Sequence, residues 1–476
     1  MAGGQLPKSF LHFQITSMTL LANFAVQCAF ISAVGFSLAL PLLLLNVKIA
    51  PRLGLVDWPK ARGLAEDHVP IIGHTLVLVS LVYFGCLAYL GKTSGFVVVS
   101  TFIIAFMGYL DDLSSRPALD KMLVQLFCVV CVVLFDPALQ ASISKTYGPW
   151  GTFWAIFFIL GLMNAVNFID GIDGLAGSVL FFGGAGLVLF SQSQSELRTF
   201  GFYGAMLMGM LVPFLYLNVV HRKGFLGNVG SYTLSYILAI SHLSIPIESG
   251  NVISRLALPG LCFLVPIADA ALVLVYRLGA RRSPFQADKG HLHHRLMQSS
   301  IPLRYILLIL GSIEFLGVAT GYLLYQSAGA QNPWLAATIC FSHTVTVAML
   351  VVLIEKTSKQ RVQNFFSHLD RGESLYFIKY KISCRSGEKV EPHVLRRVEA
   401  RINAEIRVTD LCFVQEPDVL FVALRTLTEP FKKLSARLER VFEQERVHAV
   451  SHLEAGEFIK VSNQNLVGRK ASSLSN

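Results

Sequence analysis

The sequence predicts a polytopic all-α membrane protein with about eleven transmembrane helices, followed by a C-terminal cytoplasmic α+β domain of ferredoxin-like order. Three observations predict it. Hydrophobic residues make up 53% of the 476-residue chain and charged residues 15%, with a mean hydropathy of +0.56, a balance typical of membrane proteins. Apolar runs close to the roughly 20 residues that span a bilayer recur through the first three quarters. Beyond Glu355 hydropathy collapses and short strand and helix patterns alternate instead.

The apolar runs fall at about 20–47, 71–91, 94–110, 122–135, 152–168, 174–190, 200–220, 230–247, 256–276, 305–325 and 334–354. The first is too long for a signal-peptide core and has only Lys8 before it, so it reads as a retained span. Six of the eight cysteines lie in or beside spans, and Cys128 and Cys131 of "CVVC" read as buried packing. Residues 1–355 thus form a membrane domain, and residues 356–371 form a polar connector. Over 372–462, "SLYFIKYKIS" alternates as a strand and "EPHVLRRVEARINAE" has helical spacing. "RVTDLCFVQ" and "DVLFVALR" flank the turn "EPD", then "EPFKKLSARLERVFEQE" is helical and "VHAVSHL" is a strand. That βαββαβ order is the ferredoxin-like split fold. With no catalytic cluster, it reads as a regulatory or docking module whose protein partner is unassigned. Residues 463–476 are a polar tail.

Charge sets the orientation. Numbered alternately, the loops at 48–70, 111–121, 169–173, 221–229 and 277–304 hold 14 Lys and Arg, and the opposite set holds 5. The positive-inside rule places the first set in the cytoplasm and the N-terminus outside. Basic loops and the basic tail account for the net charge of +10, so no nucleic-acid partner is implied.

Every polar cluster falls on the inner side. "GYLDDLSSRPALDKMLVQ" brings Asp111, Asp112, Lys121 and Gln125; "NAVNFIDGIDGLAG" brings Asn164, Asn167, Asp170 and Asp173. "RKGFLGNVGSY" follows, and "RRSPFQADKGHLHHRL" brings His291, His293, His294 and Arg295. Taken singly, each has an ordinary reading: a solvated helix end, a turn rich in Gly and Asp, or a structural metal site or headgroup patch for "HLHH". Together they pair carboxylates, which suit a hard divalent cation, with cationic side chains that suit phosphates. Opening onto lipid, that pairing is what phosphoryl transfer to a lipid acceptor requires.

Over roughly residues 20–355 the chain resembles the polyprenyl-phosphate N-acetylhexosamine-1-phosphate transferases, the superfamily of MraY, WecA and TagO. "DDLSSRPALDKMLVQ" matches that family's DD-x(8)-K-x(3)-Q pattern, and "NAVNFIDGIDGLAG" its most characteristic motif. "SPFQADKGHLHHRL" is similar to the basic loop of the WecA/TagO branch, and Asp269 and Arg277 resemble the family's intramembrane Asp and following Arg. The resemblance implies transfer of a HexNAc-1-phosphate, GlcNAc-1-phosphate first among them, from a UDP-sugar to undecaprenyl phosphate with release of UMP. It implies a bacterial plasma-membrane protein that initiates a lipid-linked envelope polysaccharide, with homodimerisation left open. It implies Asp111, Asp112, Asp170 and Asp173 as catalytic residues. Substrate would be held by Lys121, Asn164, Asn167, His291, His293, His294 and Arg295. Mg²⁺, with Mn²⁺ as a substitute, would be held by Asp112, Asp170, Asp173 and Asn228.

The chain departs from the pattern in places. Asn228 of "FLGNVGS" stands where the family carries a magnesium-binding Asp. In the early D-x-P-x-x-R-K-x-H…G-G pattern, Gly63 replaces the Lys, Ala65 the His and His74 the second Gly. A scaffold without catalysis therefore stays open as an alternative. So does a transporter, which would also place acids such as Asp269 and Glu314 within spans.

Overall fold

The computed structural model describes residues 8–57, 69–192, 197–247, 252–279, 303–326, parts of 338–353, the strands at 376–383, 411–416, 419–424 and 448–451, and single helical residues at 398, 402 and 438. The chain divides into two compact units, one comprising 1–57, 69–271 and 310–347, the other 58–68, 272–309 and 348–476. Twelve helices are described: α1 (Lys8–Ile49), α2 (Gly73–Tyr89), α3 (Gly95–Leu113), α4 (Ala118–Phe135), α5 (Pro137–Tyr147), α6 (Gly151–Ile169), α7 (Leu175–Ser191), α8 (Arg198–Leu215), α9 (Gly227–Leu243), α10 (Val252–Leu261), α11 (Leu264–Gly279) and α12 (Leu303–Gln326). Among the described residues, six helices are long and apolar enough to cross a membrane, or seven if the bent pair α10–α11 counts as one span. The protein is polytopic and mostly helical. Ten of the eleven apolar runs coincide with described helices, but α2 and α7 have only 17 residues each, and the run at 334–354 is described only in part.

Two elements differ from the sequence expectation. The connection at 136–151 contains α5, because Asp136 accepts a hydrogen bond from the Leu139 amide at 2.7 Å as an N-cap and Pro137 sets the first helical φ. Its buried Ser142 donates to the Leu243 carbonyl at the far end of α9 (2.9 Å). The run at 256–276 is not one straight span: α10 and α11 meet at 101°. Pro259 sits in the last turn of α10, and the break follows after Leu261. The broken end of α11 recovers one bond from the buried Glu314 on α12, whose Oε2 accepts the Val265 amide at 2.8 Å.

α9 is the axis of the first unit, with every residue from Val229 to Leu243 buried. α3 lies against it so closely that a Cβ on Gly108 would come within 2.7 Å of the Val229 Cα. α1 lies against α8, where a Cβ on Gly209 would meet the Ser32 carbonyl. Ahead of α2, β1 (Val56–Asp57) pairs antiparallel with β2 (Val69–Pro70). Ile71 then bridges to Phe225 in parallel. The Ile72 amide donates to the Phe225 carbonyl at 2.8 Å, and the Phe225 amide to the Pro70 carbonyl at 2.9 Å, so the loops entering α2 and α9 are held together.

In the second unit, β3 (Tyr376–Ser383), β4 (Leu411–Glu416), β5 (Val419–Leu424) and β6 (His448–Ser451) form one antiparallel sheet in the order β4-β5-β3-β6. β3 and β5 pair from Tyr376↔Leu424 to Lys381↔Val419. Val398, Ile402 and Leu438 are buried.

Gly108→Ala tests the α3–α9 contact. Alanine raises helix propensity by about 1 kcal/mol, but overpacking against backbone that cannot rotate away costs about 1–3 kcal/mol. The variant should therefore melt below wild type in detergent. Gly161→Ala, on the exposed face of α6 with nothing within 4 Å, should melt at or above it. Equal midpoints for the two variants would refute the close approach.

Candidate active site

The C-terminal ends of α3, α6 and α8 and the N-terminal ends of α4, α7 and α9 meet at one end of the first unit. They carry almost every described residue of the polar clusters. Gly227 makes the junction of α3 and α9 possible. Its φ is +74°, and a Cβ there would lie 2.8 Å from Asp112 Oδ2 and 2.5 Å from Ile71 Cγ2. Only glycine meets both demands.

Asp112 uses that space to cap α9. Its Oδ1 accepts the Asn228 amide at 2.8 Å and its Oδ2 the Val229 amide at 3.0 Å. These are the second and third residues of the helix, whose N–H groups have no partner within it. A carboxylate there also meets the positive end of the helix dipole. The family resemblance implies Asp112 as a metal ligand or base. The structure gives it a cap in addition, visible only once α3 and α9 are placed.

Its neighbour turns the other way. Asp111, 5% exposed, accepts from Lys121 Nζ at 3.0 Å and from the Arg116 amide at 2.8 Å. The pair closes the α3–α4 loop on itself and keeps an ammonium beside a carboxylate at the mouth of the site.

On α6, Asn164 and Asn167 reach different neighbours. Asn164 donates to Gln125 on α4 at 2.9 Å and to the Leu160 carbonyl. Asn167 donates to Asn228 Oδ1 at 2.8 Å and to Ser231 Oγ at 2.9 Å. Asp170, buried, ends α6, and Asp173 lies in the turn before α7.

That turn is braced by Asn218, which the sequence reading missed. It is 4% exposed and sits in a π-helical turn, Tyr216–Val220, at the end of α8. Its Oδ1 accepts the Gly174 amide at 2.5 Å, and its Nδ2 donates to the Gly224 carbonyl at 2.8 Å and to Asp173 Oδ1 at 3.5 Å. One buried amide thus ties the "DGIDG" turn to the loop entering α9. The available signal was a polar residue in the apolar run "FLYLNVV", four residues before "RKG". π-Turns of this kind often occur at functional sites.

Asp269 and Arg277 are buried on α11. His74 Nε2 bonds Asn46 Nδ2 at 2.6 Å, joining α2 to α1. His291, His293, His294 and Arg295, with Gly63 and Ala65, lie outside the described residues.

Mg²⁺ is commonly held by one or two carboxylates with substrate phosphates and water completing its shell, not by a closed protein cage. Among the described residues no three His, Cys, Asp or Glu side chains form such a cage. Asp170 and Asp173 lie three residues apart at the α6–α7 junction.

This is a helical membrane protein with carboxylates, amides and an ammonium gathered at one end of its bundle. Residues 95–245 match the family described as glycosyl transferase family 4, a span running from α3 into the loop after α9. The chain is 27% identical over 288 residues to the undecaprenyl-phosphate alpha-N-acetylglucosaminyl 1-phosphate transferase of Salmonella typhi, covering 57% of this chain and 77% of that protein. The Escherichia coli K12 protein of that name is 26% identical over 293 residues, covering 58% and 79%. The Yersinia pestis one is 25% identical over 352 residues, covering 69% and 94%. These likenesses support the transferase family that the motifs resemble.

Two substitutions separate the caps from the chemistry. Asp112→Asn leaves one oxygen to accept two amides and removes the charge, which at a hydrogen-bonded helix end costs about 1–3 kcal/mol. Asn218→Ala strands the Gly174 N–H and the Gly224 carbonyl, at about the same cost. Thermal unfolding should show both variants melting below wild type. An Asp112→Asn midpoint equal to wild type would mean that the cap contributes nothing to stability.

Proposed function

We propose that the protein transfers GlcNAc-1-phosphate from UDP-GlcNAc to undecaprenyl phosphate, releasing UMP. The observation that carries this reading is the convergence of Asp111, Lys121, Asp170 and Asp173 on one end of the bundle within a family 4 domain. The names of the relatives supply the acceptor and the sugar. A phosphate oxygen of the lipid attacks the β-phosphorus of the UDP-sugar. The bond from that phosphorus to the bridging oxygen breaks, and UMP leaves with the electron pair.

In this reading Lys121 binds a phosphate while Asp111 keeps its ammonium oriented, and Asp170 and Asp173 hold Mg²⁺ against the diphosphate. The ion, when bound, supplies neutralisation of the diphosphate charge. Such catalysis is mainly positioning and electrostatics, which suits a floor of short turns braced by Asn218. The loop from His291 to Arg295 would hold the nucleotide-sugar. The scaffold reading is not favoured by the relatives, and the capping role of Glu314 weakens the transporter reading.

We place the site and the C-terminal domain in the cytoplasm and the N-terminus outside, on the loop charges. The strand order β4-β5-β3-β6 supports a ferredoxin-like reading of residues 372–462, with a docking or regulatory role.

Purified protein in detergent, given undecaprenyl phosphate and labelled UDP-GlcNAc, should release UMP and form a lipid-diphosphate sugar. Asp173→Asn should lower the rate roughly a hundredfold or more. Transfer with no UDP-HexNAc of a panel by a well-folded protein would reverse the reading in favour of a scaffold. In a chain freed of its native cysteines, Ser115→Cys, in the exposed α3–α4 loop, should label only from the cytoplasmic side.

A further inference from the structure

Where the family motif calls for a carboxylate ligand, Asn228 is already occupied by protein. Its Oδ1 accepts from Asn167 on α6 at 2.8 Å, and its own backbone amide donates to Asp112 on α3 at 2.8 Å. One residue therefore accepts from α6 through its side chain and donates to α3 through its backbone, while sitting in the first turn of α9. Ser231, one helical turn on, takes the second Asn167 bond at 2.9 Å.

An aspartate at 228 could keep the bond from Asn167. Two carboxylates would then face each other at a partly buried junction, an arrangement that favours a proton or a cation between them. Asparagine satisfies the same geometry with no added charge.

We propose that Asn228 is a positioning residue that locks α3, α6 and α9 together without a cation, so that this chain holds no divalent ion at position 228. Any Mg²⁺ used in turnover is then held at Asp170 and Asp173 with the substrate diphosphate. The inference depends on the transferase reading only for that consequence, because the lock belongs to the fold and is read without turnover.

The test is thermal unfolding of the full chain in detergent, without substrate, in EDTA and in a Mg²⁺ titration. Asn228→Asp should melt below wild type in EDTA. It should also gain a Mg²⁺-dependent rise beyond any that wild type shows, since a ligand that binds only the folded state raises the midpoint. Asn228→Ala removes the bond from Asn167 and adds no charge. It should melt lower by the same amount in EDTA and in Mg²⁺, leaving the wild-type response to Mg²⁺ unchanged. Loss of a wild-type Mg²⁺ response in Asn228→Ala would overturn the proposal, because Asn228 would then be a ligand. An Asn228→Asp variant as stable as wild type in EDTA, with no added response, would overturn it as well. The Ala variant keeps the test decisive if the Asp variant does not fold. Failure of the transfer assay with this thermal pattern intact would count against the activity and not against the lock.

Discussion

The Asp112 carboxylate receives two of the orphan amides of α9, those of Asn228 and Val229, and the candidate site is arranged around that contact. A helix entering the apolar interior has unpaired N–H groups at its start, and burying them unsatisfied costs about 1–3 kcal/mol each. Here a side chain of the neighbouring helix meets them. The requirement then propagates: α3 must approach α9 closely, which Gly108 permits, and the chain must enter α9 with a positive φ, which Gly227 permits. Once α9 is fixed, Asn228 and Ser231 face Asn167, and α6 is fixed in turn.

The same logic governs two other buried polar groups. Glu314 looks on sequence like an acid in a transport path, but it accepts the Val265 amide where the α10–α11 bend frees a backbone donor. Asn218 braces two loops with one amide. Polar side chains inside an apolar bundle are costly unless paired, and these are paired with backbone that helix ends leave exposed. The chemistry proposed for Asp170, Asp173 and Lys121 uses groups at or beside helix ends.

Much of this was legible in the sequence because composition and period act locally. The apolar runs located ten of the described helical regions, and the motif spacing put Asp111, Asp112, Asn164, Asn167, Asp170 and Asp173 at helix ends. α5 was legible in principle, through Asp136 before Pro137, but a short helix with little apolar length leaves no span signal. The break near Pro259 was missed because hydropathy averages over a bend and reports only that the segment is apolar.

The sequence by itself determined the helical membrane class, the family resemblance and the identity of the polar residues, since each follows from residue type and short-range spacing. Only the tertiary structure decided what those residues touch. Asp112 and Asn228 are 116 positions apart, and Asn218 and Asp173 are 45 apart. At such separations a hydrogen bond is set by how helices pack, and packing is set by glycines and bends whose effect appears only when a second helix is present.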